Sequence, residues 1–194
     1  MILTIAGGQS VTDYDGEALA LLAHTCLTIG VNDSMLHWPC HIGVALDPDW
    51  ILHFQAELRY AKIPVITRKW QALQGLGLDL IELDNRIPYR LSGMVACKLA
   101  DVLAKASKSR HYCIGMDATA GHYYDDTSDC SKIVGHSDYE GMGLTHTTNL
   151  GVHSKISCWP KASKLPKLHK AYSSPQFKAM GVAWLRGEAR KIIK

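Results

Sequence analysis

A cysteine flanked by helix-capping residues is the feature of the sequence with the clearest chemical potential. Thr127, Ser128 and Asp129 precede Cys130, and a short apolar run follows it. Because Thr, Ser and Asp favour the N-cap position, this pattern predicts a loop that turns into a helix at Cys130. Unpaired backbone N–H groups and the positive end of the helix dipole favour a thiolate at such a position. Cys130 is therefore a candidate nucleophile, although a buried structural cysteine fits the same stretch.

Two histidines supply the remaining groups that a cysteine nucleophile requires. The apolar runs 41–46 and 50–54 are separated by Asp-Pro-Asp, which is typical of a turn, and together they predict a β-hairpin. On the two strands of that hairpin His41 and His53 would lie side by side. A thiol needs a general base, and the base needs an orienting partner. We therefore expect His41 and His53 to form a triad with Cys130.

These residues resemble the NlpC-type papain-like cysteine peptidases and amidases. In that family a cysteine opens a helix, as in the Asp-Cys-Ser sequence at Cys130. A histidine begins a strand, as in His-Ile-Gly-Val at His41, and a third polar residue lies on the next strand, where His53 follows twelve residues later. The histidine precedes the cysteine here, an order similar to that of the circularly permuted branch, which includes YiiX-like hydrolases and relatives of lecithin retinol acyltransferase. The Tyr-Asp at Tyr124 resembles the Tyr-Asp before the cysteine in that branch.

The resemblance implies both a fold and a set of catalytic roles. The implied fold is α+β, a papain-like (NlpC-type), circularly permuted domain whose antiparallel sheet packs against helices. Cys130 would attack an acyl carbon, His41 would take the thiol proton and later protonate the leaving group, and His53 would orient His41. The backbone N–H of Cys130 and the Tyr124 hydroxyl would stabilise the oxyanion. No metal and no other cofactor is expected.

The expected reaction is hydrolysis of an amide, and the resemblance implies peptidoglycan stem peptides as the substrate. The permuted branch also contains lipid acyl hydrolases and acyltransferases, so the acyl donor stays open. A non-catalytic binding or structural module of the same fold, working in a larger assembly such as a virus tail or the cell wall, is a second alternative. A zinc site formed by His37, Cys40, His41 and His53 is disfavoured, because the adjacent residues Cys40 and His41 of a strand point to opposite faces.

Length and composition predict one sizeable core. The chain has 194 residues, 47% of them hydrophobic, and no apolar run long enough to cross a bilayer. Residues 1–8 lack the basic region and the long apolar stretch of a signal peptide. We therefore expect the protein to be cytoplasmic, to be released by lysis or to be carried in a virus particle. The six cysteines include no CxxC pair, which argues against a zinc ribbon and favours reduced thiols.

Hydrophobic periodicity predicts the regular elements around these residues. Residues 2–5 and 78–83 are predicted strands, and residues 17–26 are rich in helix formers. The clearest helix covers residues 92–109, where apolar side chains recur every three to four residues. Pro175 suits the first position of a last helix. The apolar side of that helix, which is expected to dock on the core, is formed by Phe177, Met180, Trp184 and Leu185.

Charge is distributed unevenly along the chain. Residues 155–194 hold eight Lys and two Arg against Glu188 alone, a net charge of +9, whereas the first 154 residues hold 11 basic and 17 acidic residues, a net charge of −6. We therefore expect a catalytic domain over residues 1–158 and a basic C-terminal extension over residues 159–194, with its terminal helix docked on the same domain. The basic segment 155–194 is a candidate binding surface for an anionic polymer such as cell wall or nucleic acid. A solvated basic surface would carry the same charges.

Overall fold

One parallel β-sheet forms the centre of the molecule. The computed structural model describes residues 1–84, 91–116 and 175–189. Within those ranges all five strand pairings are parallel, so the fold is α/β and the expected antiparallel sheet is wrong. The order across the sheet is β5-β4-β3-β2-β1-β6. The strands are β1 (Ile2–Ile5), β2 (Leu27–Val31), β3 (Ile42–Val44), β4 (Val65–Thr67), β5 (Leu80–Glu82) and β6 (His111–Ile114).

The apolar character of the central strands explains the parallel arrangement. Every residue of β1 and of β2 is buried, so both faces of these strands are covered. A strand that is covered on both faces carries apolar side chains on successive residues, whereas a half-exposed antiparallel strand alternates with polar ones. The uninterrupted runs Ile-Leu-Thr-Ile and Leu-Thr-Ile-Gly-Val are therefore typical of a parallel sheet between two helical layers.

Helices cover both faces of this sheet. They are α1 (Gly16–Thr25), α2 (Ser34–His37), α3 (Pro48–His53), α4 (Gln55–Ala61), α5 (Ser92–Ala106) and α6 (Pro175–Ala189), with 3₁₀ turns at Gln9–Asp13 and Gln71–Leu73. The largest apolar cluster joins α5 and α6 to one face, and two smaller clusters join α1 and the group α2 to α4 to the other. The sheet is thus the middle of three layers.

The segment that was predicted to be the second strand of a hairpin is helical. The Asp47 side chain caps α3 by accepting a hydrogen bond from the backbone N–H of Asp49 (2.9 Å), and Pro48 occupies the first turn. Asp and Pro suit turns and helix starts equally, and the apolar run after them is too short to show a period. The hairpin prediction is therefore wrong, and β3 pairs instead with β2 and β4.

The direction of the strand order changes at β1. Strands β1 to β5 follow one another outward, and α5 then returns the chain across the opposite face to β6, which lies beside β1. The helix that follows β1 and the helix that precedes β6 therefore lie on different faces of the sheet. In open α/β sheets ligands bind outside the carboxyl ends of the strands near such a reversal.

The last described helix packs against the body of the domain. Leu185 of α6 is fully buried in the cluster that includes α5, and Trp184 is partly buried against it. Met180 is 72% exposed, so the apolar side predicted for this helix faces the core only in part. The structure describes only the backbone of Phe177, so the docking of its side chain stays a prediction. No helix in the described ranges is both long and apolar enough to span a membrane.

Candidate functional site

His41 lies just before β3, at the amino edge of the sheet. Its backbone N–H donates to the Thr28 carbonyl (2.9 Å), and its Nδ1 accepts from the Thr28 N–H (3.1 Å). Burial, with smaller contributions from the charges of Lys178 and His24, lowers the pKa of His41 to about 4. The imidazole is therefore neutral at pH 7, and one of its two nitrogens is already occupied by the backbone.

His53 occupies a different environment from the one predicted. It is the last residue of α3, its side chain is exposed, and its ring meets Phe54 edge-on with 4.6 Å between the centroids. Because residues 48–53 are helical, His53 is not on a strand beside His41, and the pairing of the two histidines across a hairpin is wrong. Cys130 and Tyr124 lie outside the described residues, so their catalytic roles stay predictions.

Two buried polar atoms at the carboxyl edge of the sheet lack a hydrogen-bond partner within the described residues. One is Oδ1 of Asn32, which follows β2, and the other is Oγ1 of Thr67, the last residue of β4. Asn32 adopts a left-handed backbone conformation (φ 48°), and Thr67 is only 2% exposed. Buried polar groups are almost always paired in native structures, so each of these two atoms requires an explanation.

The loops around these atoms are held by hydrogen bonds between elements. Asp33 is 2% exposed, and its Oδ2 accepts from the indole N–H of Trp50 (2.9 Å). The Leu46 N–H donates to the Ser92 hydroxyl (3.0 Å), and the Leu46 carbonyl accepts from the Trp70 indole (3.1 Å). These bonds tie together the segments that follow β2, β3 and β4. Hydrogen bonds therefore hold the polar groups at the carboxyl edge in place.

A glycine turn leaves β1 at the point where the strand order reverses. Gly7 and Gly8 connect β1 to the first 3₁₀ turn, and the Gly8 N–H donates to the Gly115 carbonyl beyond β6 (2.8 Å). The turns after β1 and β6 are thus joined through the backbone. A glycine turn after the first strand of a parallel sheet brings backbone N–H groups close to bound phosphate in dinucleotide-binding folds.

A second polar cluster lies inside the core and not at the sheet edge. Cys97, His111 and Cys113 place one nitrogen and two sulfur atoms within 4.8 Å of one another, and all three residues are buried. These are residue types that bind metal ions. Local spacing does not indicate this cluster, because Cys97 and His111 belong to different elements.

No protein-family model, curated protein or solved structure matches this chain. The arrangement of its own residues is therefore the basis for a functional proposal.

Sequence reasoning missed the polar atoms of the carboxyl edge. Asn32 directly follows the apolar run of β2, and Thr67 ends the apolar run of β4. A polar residue that directly follows a continuous apolar strand is the available signal, because parallel strands all end at the same edge. That signal becomes useful only after the sheet is recognised as parallel.

Proposed function

We propose that the protein binds a nucleotide-class ligand, a phosphorylated molecule that bears ribose, across the carboxyl ends of β1 to β4. The observation that carries the proposal is the pair of buried atoms Asn32 Oδ1 and Thr67 Oγ1, which have no partner among the described residues. An unpaired buried polar group costs about 1–3 kcal/mol. A ligand that forms hydrogen bonds with both atoms removes this cost, whereas the cost remains when no ligand is bound.

The positions of these atoms favour a ligand of that size and chemistry. β3 separates β2 from β4, so the two strand ends are two strand spacings, about 10 Å, apart. Asn32 Oδ1 is an acceptor and requires a donor such as a ribose hydroxyl or a base amine, whereas the Thr67 hydroxyl can donate or accept. The glycine turn at Gly7 and Gly8 is suited to the phosphate. The half-buried Arg68, directly after β4, adds positive charge at the same edge.

Calorimetric titration of the full chain with nucleoside mono-, di- and triphosphates, and with inorganic phosphate alone, tests the proposal. At least one nucleotide should bind, and Thr67→Val should weaken its binding about three- to tenfold because one hydrogen bond is removed. Because the Thr67 hydroxyl has no hydrogen-bond partner among the described residues, the same substitution should leave the stability of the free protein unchanged or higher.

Thr28→Val is the matched control. Thr28 is also a fully buried strand residue, but its hydroxyl donates to the Ala23 carbonyl (2.7 Å). This variant should lose about 1 kcal/mol of stability and keep its nucleotide affinity. The proposal fails if no nucleotide binds, or if Thr67→Val and Thr28→Val affect binding equally.

A cysteine-dependent amide hydrolase is a second proposal, supported by the capping residues before Cys130 and by the Tyr-Asp at Tyr124. The sheet is parallel, so this proposal rests on those residues and not on a papain-like fold. Its substrate class is peptidoglycan stem peptides, with lipid acyl groups as the runner-up. Cys130 lies beyond Met116, where the described range 91–116 ends, so the structural surroundings of Cys130 carry no part of this proposal.

Competitive labelling of the thiols tests this second proposal. Burial raises the pKa of the Cys26 and Cys40 thiols, so both should react slowly with iodoacetamide at neutral pH. Cys130 should react faster than either, and Cys130→Ser should abolish the release of new amino termini from purified peptidoglycan. Equal labelling of the three thiols, or hydrolysis by Cys130→Ser, would contradict the proposal.

A further inference from the structure

A cluster of three potential metal ligands lies between α5 and the edge strand β6. His111 and Cys113 are two residues apart on β6, so their side chains point to the same face of the sheet. That face is covered by α5, which contributes Cys97. Cys97 is 0% exposed, His111 is 2% exposed and Cys113 is 3% exposed. The cluster is therefore closed to solvent.

The atoms of the cluster are already close together. Cys97 Sγ lies 3.3 Å from Cys113 Sγ, and Cys113 Sγ lies 3.1 Å from His111 Nε2. On the neighbouring strand β1, Thr4 is paired in register with Cys113, and its Oγ1 lies 3.0 Å from the same His111 nitrogen. The two sulfurs and the nitrogen thus lie within 4.8 Å of one another, and the Thr4 oxygen lies beside the nitrogen.

Hydrogen bonds within the described residues return little of the cost of burying His111. Its Nε2 meets the Thr4 hydroxyl and the Cys113 thiol, and thiols are weak donors and acceptors. Its Nδ1 has no partner among the described residues and would carry the ring proton while Nε2 binds an ion. An apolar core at this place would avoid the cost of burying an imidazole. Direct bonding to an ion would compensate for that cost, because two thiolates and an imidazole bind soft and borderline metal ions strongly.

We propose that Cys97 Sγ, Cys113 Sγ and His111 Nε2 bind a zinc ion, with Thr4 Oγ1 at the fourth position. On binding, each thiol loses its proton to solvent and forms a bond to zinc. The two thiolates neutralise the 2+ charge of the ion, and the imidazole stays neutral. The site then has no net charge, which suits its burial. Zn–S bonds of about 2.3 Å in a tetrahedron place the sulfurs about 3.8 Å apart, so the cluster must open by about 0.5 Å.

The expected role of the ion is structural. The four residues belong to β1, β6 and α5. Zinc would therefore hold α5 against β1 and β6, the two strands at which the strand order reverses. A site with four protein ligands leaves no open position for substrate, which distinguishes it from a catalytic zinc site. The inference is independent of the nucleotide site, because it uses different residues inside the core.

Metal analysis of the full chain, purified under reducing conditions after growth with added zinc, tests the proposal. We expect one zinc per chain. Cys97→Ala and Cys113→Ala should each lower the content to less than a tenth of that value. Cys26→Ala is the matched control, since Cys26 is an equally buried cysteine (1% exposed) in a cluster on the other face of the sheet. The zinc content of Cys26→Ala should equal that of the parent chain.

Cobalt substitution provides a test that does not require Cys97→Ala or Cys113→Ala to fold. One equivalent of Co²⁺ should produce a thiolate-to-cobalt charge-transfer band, and the band should persist in a Cys130→Ala/Cys158→Ala variant, which removes two thiols outside the described residues. Loss of the band in that variant would overturn the proposal. The proposal would also be overturned if the metal-free chain bound neither zinc nor cobalt. It would likewise be overturned if the mass of the purified chain showed a Cys97–Cys113 disulfide in place of a metal.

Discussion

At the scale of single residues, burial and one backbone donor determine the chemistry of His41. Its Nδ1 accepts from the Thr28 N–H (3.1 Å), and a protonated imidazole would place a hydrogen on that nitrogen. Two N–H groups would then face each other, so protonation breaks this bond. Burial acts in the same direction and is the largest cause of the lowered pKa, about 4. His41 is therefore better suited to holding β3 on β2 than to storing a proton.

The pH dependence of stability follows from this lowered pKa. The pKa of His41 is about 4 in the folded protein and 6.5 in its ordinary state. Between pH 6.5 and pH 4 the unfolded chain binds more protons, so the free energy of unfolding should decrease as the pH falls through that window. Above pH 6.5 the contribution of His41 is fully present. Denaturant titrations at pH 7 and pH 5 measure the difference.

His41→Asn separates this contribution from those of other titrating groups. An Asn side chain can place an amide oxygen near the position of Nδ1, where it can accept from Thr28, but it does not titrate. The decrease in stability between pH 7 and pH 5 should therefore be smaller in the variant than in the parent chain. An equal decrease in both proteins would show that His41 is not the residue responsible.

At the scale of elements, two glycines in register allow α2 to lie close to the sheet. Gly30 of β2 pairs with Gly43 of β3, and both face Met35 of α2. A Cβ at position 30 would lie 2.6 Å from the Cα of Met35, which is backbone, and 2.7 Å from the Sγ of Cys40. A Cβ at position 43 would overlap the Sδ of Met35, near the end of a flexible side chain.

The two positions should therefore respond differently to alanine. Gly30→Ala should lower the free energy of unfolding by about 3 kcal/mol, the upper end of the range for overpacking, because α2 itself must move. Gly43→Ala should cost about 1 kcal/mol, because the Met35 side chain can adopt another rotamer. Chemical denaturation of both variants measures the difference. Equal destabilisation at the two positions would contradict this account of α2 packing.

The elements also show how much of the fold could be predicted from sequence. The strand over residues 2–5 and the start of α5 at Ser92 are confirmed, because each has a clear apolar pattern. The run 50–54 was assigned to a strand, whereas residues 50–53 belong to α3, because five residues are too few to separate a period of 2 from one of 3.6. The parallel pairing was missed because the resemblance implied an antiparallel sheet.

The candidate site was less predictable than the elements, for a physical reason. Asn32 and Thr67 are far apart in the sequence, and only the order β4-β3-β2 places both at one edge. The same is true of Cys97 and Cys113, which come together because α5 crosses the face of β6. Strand order depends on long-range packing, which local periodicity does not report.

At the scale of the whole molecule, α6 joins the end of the described chain to the sheet. Leu185 is fully buried in the largest apolar cluster, whereas Met180 on the same helix is 72% exposed. Leu185→Ala should lower the free energy of unfolding by about 2–5 kcal/mol, in a single transition, because it leaves a cavity in the shared core. Met180→Ala should change it by less than about 0.5 kcal/mol. A separate early transition in Leu185→Ala would instead show that α6 unfolds independently.

The excess positive charge of residues 155–194 is partly used within the molecule. Lys178 Nζ donates to the His24 carbonyl (2.8 Å), and Arg186 pairs with Asp79. The lysines 161, 164, 167 and 170 lie outside the described residues and recur every three residues. If this segment binds an anionic polymer, those lysines are the cations to test, because changing them leaves the contacts of α6 in place.

Matched charge reversals separate polymer binding from a solvated basic surface. Lys164→Glu/Lys167→Glu should weaken binding to duplex DNA and to purified cell wall severalfold at low salt. The slope of log affinity against log salt for DNA should fall by about 0.9 for each phosphate that is no longer neutralised. Lys105→Glu/Lys108→Glu makes the same change of charge at two exposed lysines on the body of the domain and should leave both measurements unchanged. If the two double variants weaken binding equally, net charge alone is responsible, and residues 155–194 form no specific binding surface.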